Sequence, residues 1–162
     1  MAKADNQRTI ARFYAAFAER DGATMAACYA PGATFADPVF TDLSDGEPGA
    51  MWRMLTSRAR DLKVVLVEST ADEHAGSAFW VATYTFAQTG RSVMNKVRST
   101  FRFDDSGRIT GQRDEFGFHR WARQALGLPG LLLGWTPMLR KKVQHTARAG
   151  LDVFRGTDPD SA

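Results

Sequence analysis

Cysteine is almost absent from these 162 residues. Cys28 stands alone, which excludes an intramolecular disulfide framework and a cysteine-built zinc site. Histidine is scarce as well: His74, His119 and His145 lie far apart with no ligand-like spacing, so no metal is expected. No glycine-rich phosphate loop and no Ser-His-Asp pattern is present, and no cofactor is expected. No apolar run approaches the ~20 residues that span a bilayer. The amino terminus, Met1-Ala2-Lys3-Ala4-Asp5, lacks the apolar core of a signal peptide, so the expected location is the cytoplasm. Low-complexity segments and internal repeats are missing, which excludes disorder as the main state.

Charge of one sign is also in short supply. The chain carries 21 Lys+Arg against 18 Asp+Glu, a formal net of +3. Residues 1–118 hold 14 basic and 15 acidic residues, a net of −1, whereas residues 119–162 hold 7 and 3, a net of +4. The body is therefore electrically balanced and the surplus belongs to the last quarter. The basic residues there are not interleaved with stacking aromatics, so no nucleic-acid partner is expected.

What is abundant is apolar and aromatic patterning, at 44% of residues. Ile10, Phe13, Tyr14 and Phe17 recur at i, i+3, i+4, i+7 and predict a helix over 5–19 with Asp5 as N-cap. A short helix over 23–29 is expected to end at Pro31-Gly32, followed by a strand over 33–37 and a third helix over 49–60. Residues 63–70, 77–88, 91–103 and 108–118, rich in Val, Thr, Phe, Tyr and Trp, then read as antiparallel hairpin strands. Alternation puts Val93, Asn95, Val97, Ser99, Phe101 and Phe103 on one face of the third long strand, and Gln112, Asp114 and Phe116 on the matching face of the last. The expected class is α+β: a curved antiparallel sheet covered by three amino-terminal helices.

Asp37-Pro38-Val39-Phe40 after the first strand, followed by a helix and four long strands, resembles the cone-shaped superfamily of nuclear transport factor 2, ketosteroid isomerase and the polyketide-cyclase-like (SnoaL-like) proteins. The resemblance covers residues 6–118 and implies an apolar pocket between helices and sheet. Fold narrows function here without giving it. By the ketosteroid isomerase motif, Asp37, directly before Pro, matches the general base. The matching oxyanion positions are Phe13 and Ser99, and Phe13 has no donor; Tyr14 is displaced by about 100° around its helix. Steroid isomerisation by the familiar route is therefore not expected. Asp114, in Gln112-Arg113-Asp114-Glu115-Phe116, looks like the acidic residue of limonene epoxide hydrolase. Residues 81–85 supply neither the Arg nor the second Asp which that family needs.

The candidate catalytic residues are thus Asp37 and Asp114. Phe13, Tyr14, Phe17, Trp52, Leu55, Tyr84, Asn95, Ser99 and Phe116 are expected to line a site for a small apolar ligand. An isomerase, cyclase or lyase-type proton transfer through Asp37 stands beside non-catalytic alternatives: Asp37 shaping its own turn, a ligand-binding or protein-interaction module, or a membrane-surface accessory protein. Whether the chain is an enzyme stays open, and a homodimer through the outer sheet face is expected.

Beyond Phe118 a helical extension over 119–156 is expected, with a tail over 157–162 expected to be disordered. Gly127 stops one helix, Leu128-Pro129-Gly130-Leu131-Leu132-Leu133-Gly134-Trp135 is markedly apolar, and Thr136-Pro137 opens a last helix over 137–154. This piece could close the pocket, join a dimer interface or touch an anionic membrane weakly.

Overall fold

Helical spacing of Ile10, Phe13, Tyr14 and Phe17 becomes the buried stripe of α1 (Ala2–Ala18). The computed structural model describes residues 1–159. The helix begins three residues earlier than expected: Met1 is the N-cap, and Asp5 instead lies in the first turn, paired with Arg8. Asp21 caps α2 (Gly22–Ala27), its carboxylate accepting from the Thr24 N–H at 3.0 Å. Pro31-Gly32 does not end a helix. It falls inside β1 (Tyr29–Ala36), an edge strand whose ladder is irregular between Tyr29 and Thr34. Pro is tolerated there because an edge strand has one side free of ladder bonds.

After α3 (Glu47–Arg58) come β2 (Lys63–Ala71), β3 (Ala75–Phe86), β4 (Arg91–Phe103) and β5 (Ile109–Glu115). These four form the expected antiparallel meander, and the sheet order is β1-β5-β4-β3-β2. Only β1 departs from the antiparallel rule among the described strands, running parallel to β5. A helix and three strands separate the two in sequence, long enough for the crossover that a parallel pair needs.

The curved sheet carries α1 and α3 on its inner face, making an α+β cone. Phe13 sits at its centre, edge-on to Tyr14, Tyr29, Trp52 and Phe101 at ring separations of 5.1 to 6.3 Å. The interior between these elements is therefore filled by aromatic rings.

The extension forms α4 (Phe118–Leu126), α5 (Leu128–Leu133) and α6 (Pro137–Thr157). Trp121, Ala122 and Ala125 of α4 pack on Val93 with Phe118, beside Tyr84, Phe116 and Val39. Thr136 caps α6, its hydroxyl accepting from the Leu139 N–H at 3.3 Å. Leu151 of α6 is buried in the main core, and Glu47 at the start of α3 pairs with Arg148 and Arg155. Thr157 and Asp158, placed in the tail by sequence, instead close α6 as its last residue and C-cap, and Asp158 binds Arg53 through an ion pair at 2.9 Å. The rest of that expected tail, 160–162, lies outside the described residues.

Candidate functional site

Asp37 and Asp114 are brought level by two strand ends. Phe35 pairs with Gln112 and Ala36 with Arg113 in the parallel β1–β5 ladder, so the next step places Asp37 beside Asp114. Strand alternation then puts both on the inner face with Phe35 and Gln112. On the other side, Asp114 stands opposite Ser99 of β4. One row thus crosses the sheet from Asp37 through Asp114 to Ser99.

Asp114 is 3% exposed. Its Oδ1 accepts from the Ser99 hydroxyl at 2.6 Å and from Gln112 Nε2 at 2.9 Å. Its Oδ2 accepts no hydrogen bond among the described residues. Burial pushes its carboxyl up to about 7; the two hydrogen bonds oppose the rise, and the nearby charge of Asp37 adds to it.

Asp37 is half-buried and held by its own turn. Its Oδ1 accepts from the N–H groups of Val39 at 2.7 Å and Phe40 at 2.6 Å, and its own N–H donates to Phe40 O at 2.8 Å. The turn-shaping role read from Asp37-Pro38 is therefore real, yet it uses one oxygen. Oδ2 carries no hydrogen bond among the described residues. Burial raises this carboxyl to about 6 against its two backbone hydrogen bonds.

Behind the pair runs a network that sequence reasoning only partly anticipated. Trp52 Nε1 donates to the Tyr29 hydroxyl at 2.7 Å, and that hydroxyl donates in turn to Gln112 Oε1. From the other side, the Tyr14 hydroxyl at 2.9 Å and Trp80 Nε1 at 2.8 Å both donate to Ser99 Oγ. Tyr14 therefore does reach the carboxylate row, through Ser99, although its displacement around α1 argued against it. Burial raises the hydroxyl pKa of Tyr14 and of Tyr29 well above the ordinary phenol value, so both act as neutral donors. Tyr29, Gln112 and Trp80 are the supporting residues that the sequence list omitted. The inward alternation of Gln112 was its one visible signal; Tyr29 was hidden because residues 23–29 read as helix.

The remaining candidates divide. Phe13, Tyr14, Phe17, Trp52 and Ser99 are buried in the packed interior. Ser99 has its donor and acceptor capacity taken up within the protein, which removes it as a direct ligand contact. Leu55 of α3 is 37% exposed. Tyr84, Asn95 and Phe116 are half-buried on the inner face, and the Asn95 side chain has no hydrogen-bond partner among the described residues. Trp121 Nε1 donates to the Tyr84 hydroxyl at 2.8 Å, and Gln144 Nε2 of α6 to Pro38 O at 3.0 Å. The extension thus roofs the edge of the carboxylate row.

Aromatic rings pack the core of the cone. Two surface grooves, about 410 and 670 Å³, lie elsewhere, along β1 and α3 and across β1, β4 and β5, and neither is lined by Asp37 or Asp114. Among the described residues no three His, Cys, Asp or Glu side chains converge as a metal group. The Cys28 thiol is buried and its pKa raised, which leaves it the un-ionised form of a packing residue.

An open five-stranded sheet curved around α1 and α3 is the cone class of nuclear transport factor 2 and ketosteroid isomerase. Within that class, the chain belongs to the SnoaL-like domain family, whose model matches residues 10–112. Comparison with curated proteins finds no match. Among solved structures, it is similar to an LEH-like epoxide hydrolase of M. tuberculosis, at 22% identity and TM-score 0.64, covering 81% of this chain and 97% of that one. It is similar to an NTF2-like protein of Burkholderia pseudomallei, at 19% identity and TM-score 0.64, covering 74% and 96%. A third is a protein of Catenulispora acidiphila with a ketosteroid isomerase-like fold, solved with trimethylamine, at 16% identity and TM-score 0.64, covering 80% and 97%. These likenesses show the fold.

Proposed function

We propose that the protein is an enzyme that moves a proton within a small, uncharged, lipophilic molecule, with Asp37 as base and Asp114 as acid. The observation that carries this reading is the division of labour between the oxygens of the two carboxyls. In Asp37 both backbone donors point at Oδ1, so Oδ2 is the basic oxygen left for substrate. In Asp114 both donors also point at Oδ1, so a proton held by this group sits on Oδ2 and faces outward from the network.

With carboxyls near 6 and near 7, the pair holds roughly one proton between those pH values, and Asp37 is the ionised member. The two therefore act as a push–pull couple: Asp37 Oδ2 accepts a proton from an acidic C–H, while Asp114 Oδ2–H donates a hydrogen bond to the oxygen on which negative charge develops. The same donor can protonate an alkoxide or enolate, which fits isomerase, cyclase and lyase outcomes alike. A neutral substrate is favoured because an anion would be repelled by Asp37. Apolar neighbours Phe116 and Tyr84 favour a lipophilic one, and Asn95 supplies a further polar contact.

The test is proton exchange. Small lipophilic ketones and enones incubated with the protein in deuterated buffer should lose α-protons at a rate above buffer, and Asp37→Asn should remove that exchange without lowering the thermal midpoint. Exchange that survives Asp37→Asn would move the base elsewhere.

A further inference from the structure

From Phe116 to Leu151 the chain contains no acidic residue, while it carries Arg120, Arg123, Arg140, Lys141, Lys142 and Arg148. Within this stretch α5 displays its apolar side chains instead of burying them. Leu128, Leu131, Leu132 and Leu133 of α5, with Trp135 and Met138 just after it, are 45% to 74% exposed. The cause is the glycine pair Gly130 and Gly134, one helical turn apart. A Cβ on Gly130 would lie 1.9 Å from Ala122 O, and one on Gly134 would lie 2.7 Å from the His119 ring. The bare glycine side of α5 is thus pressed onto α4, and the leucines are turned away from the protein.

We infer that α5 and the start of α6 form a docking surface for an anionic lipid bilayer. Charge decides among possible occupants. Met138, Lys141 and Lys142 share an exposed face of α6 at i, i+3, i+4, directly beside Trp135. Arg120 and Arg123, exposed on α4, flank the other side. None of Arg120, Arg123, Lys141 and Lys142 has an ion-pair partner among the described residues. A second copy of the chain docked on this patch would oppose its own unneutralised cations. A nucleic acid would satisfy the cations and leave the leucines in water. Anionic headgroups with an acyl layer beneath satisfy both, with Trp135 at the headgroup level. No helix among the described residues is long and apolar enough to cross a membrane, so contact is superficial. The surface is built from different residues than the carboxylate pair and stands independently of its chemistry.

Trp135 also supplies the readout, because Trp52, Trp80 and Trp121 are buried. The full chain is mixed with vesicles of phosphatidylcholine alone and of phosphatidylcholine with an equal part of phosphatidylglycerol. Sedimentation with the mixed vesicles, a blue shift of tryptophan emission that Trp135→Phe removes, and release by added salt are expected. Lys141→Glu with Lys142→Glu should lower the bound fraction about tenfold or more. Leu131→Ser with Leu132→Ser should abolish the blue shift, and because these side chains are exposed the thermal midpoint should hold. Equal binding to neutral vesicles, no binding to anionic ones, or a dimer that the Leu131/Leu132 variant dissociates would each overturn the assignment.

Discussion

Ser99 donates its hydroxyl proton to Asp114 Oδ1 at 2.6 Å, across the paired strands β4 and β5 where the two residues stand directly opposite. Because Tyr14 and Trp80 donate into the same hydroxyl, its proton has one remaining direction. Ser99 is therefore a fixed donor to Asp114 and orients its carboxyl plane.

Ser99→Ala removes that donor and leaves the Tyr14 hydroxyl and Trp80 Nε1 without their acceptor. Buried unpaired groups cost about 1–3 kcal/mol each, so urea unfolding should show a loss of about 2–4 kcal/mol. The Asp114 carboxyl should also titrate higher, because a hydrogen bond that holds it down has gone.

Turnover should follow a narrow bell against pH. The rising limb, near 6, reports ionisation of Asp37, and the falling limb, near 7, reports loss of the Asp114 proton. Asp114→Asn keeps an oxygen for Ser99 and Gln112 and cannot ionise, so its profile should keep the rising limb and lose the falling one. An unchanged falling limb would place that proton on another group.

Stability should fall as pH rises through the same region. Burial lifts both carboxyls above the value of 3.8 expected in the unfolded chain, so the folded state holds more protons between that value and about 7. Folding is favoured most below this window and loses that advantage as pH climbs through it. Asp114→Asn removes much of the dependence. Its thermal midpoint above pH 7 should exceed that of the parent, on the order of 2 kcal/mol or more in stability, and the two should converge in acid.

Glu47 anchors the extension, since its carboxylate holds Arg148 and Arg155 against α3. Glu47→Ala leaves Arg155 half-buried without that partner. The expected loss is about 1–3 kcal/mol, below the value for a fully buried pair because Arg148 is largely solvated. Hydrogen exchange should show α6 opening before the sheet.

Much of this molecule was legible one residue at a time. The stripe on α1, the inward set on β4, the Thr136-Pro137 start of α6 and the order helix, strand, helix, then four strands all follow from local periodicity and capping, which are properties of neighbours in sequence. Asp37 and Asp114 could be singled out for the same reason: Asp before Pro, and Asp on an inward strand position. The misreadings have a shared origin. Tyr29 read as helix, and the parallel direction of β1 had no local signal, because its pairing partner lies about 80 residues away on β5. Trp52 and Leu55 lie on one helix, yet packing buries the first and leaves the second 37% exposed.

The charge of the last quarter is the clearest division between the two levels. Sequence alone determined that the basic excess sits beyond residue 118 and that an apolar segment lies within it. Tertiary structure decided that Gly130 and Gly134 face α4, so the leucines are displayed, while Glu47 neutralises only the far end of α6. It likewise decided that two carboxyls distant in the chain share one row with their donors on one oxygen each. Contact between residues far apart in sequence depends on where the backbone returns, and no local pattern encodes that.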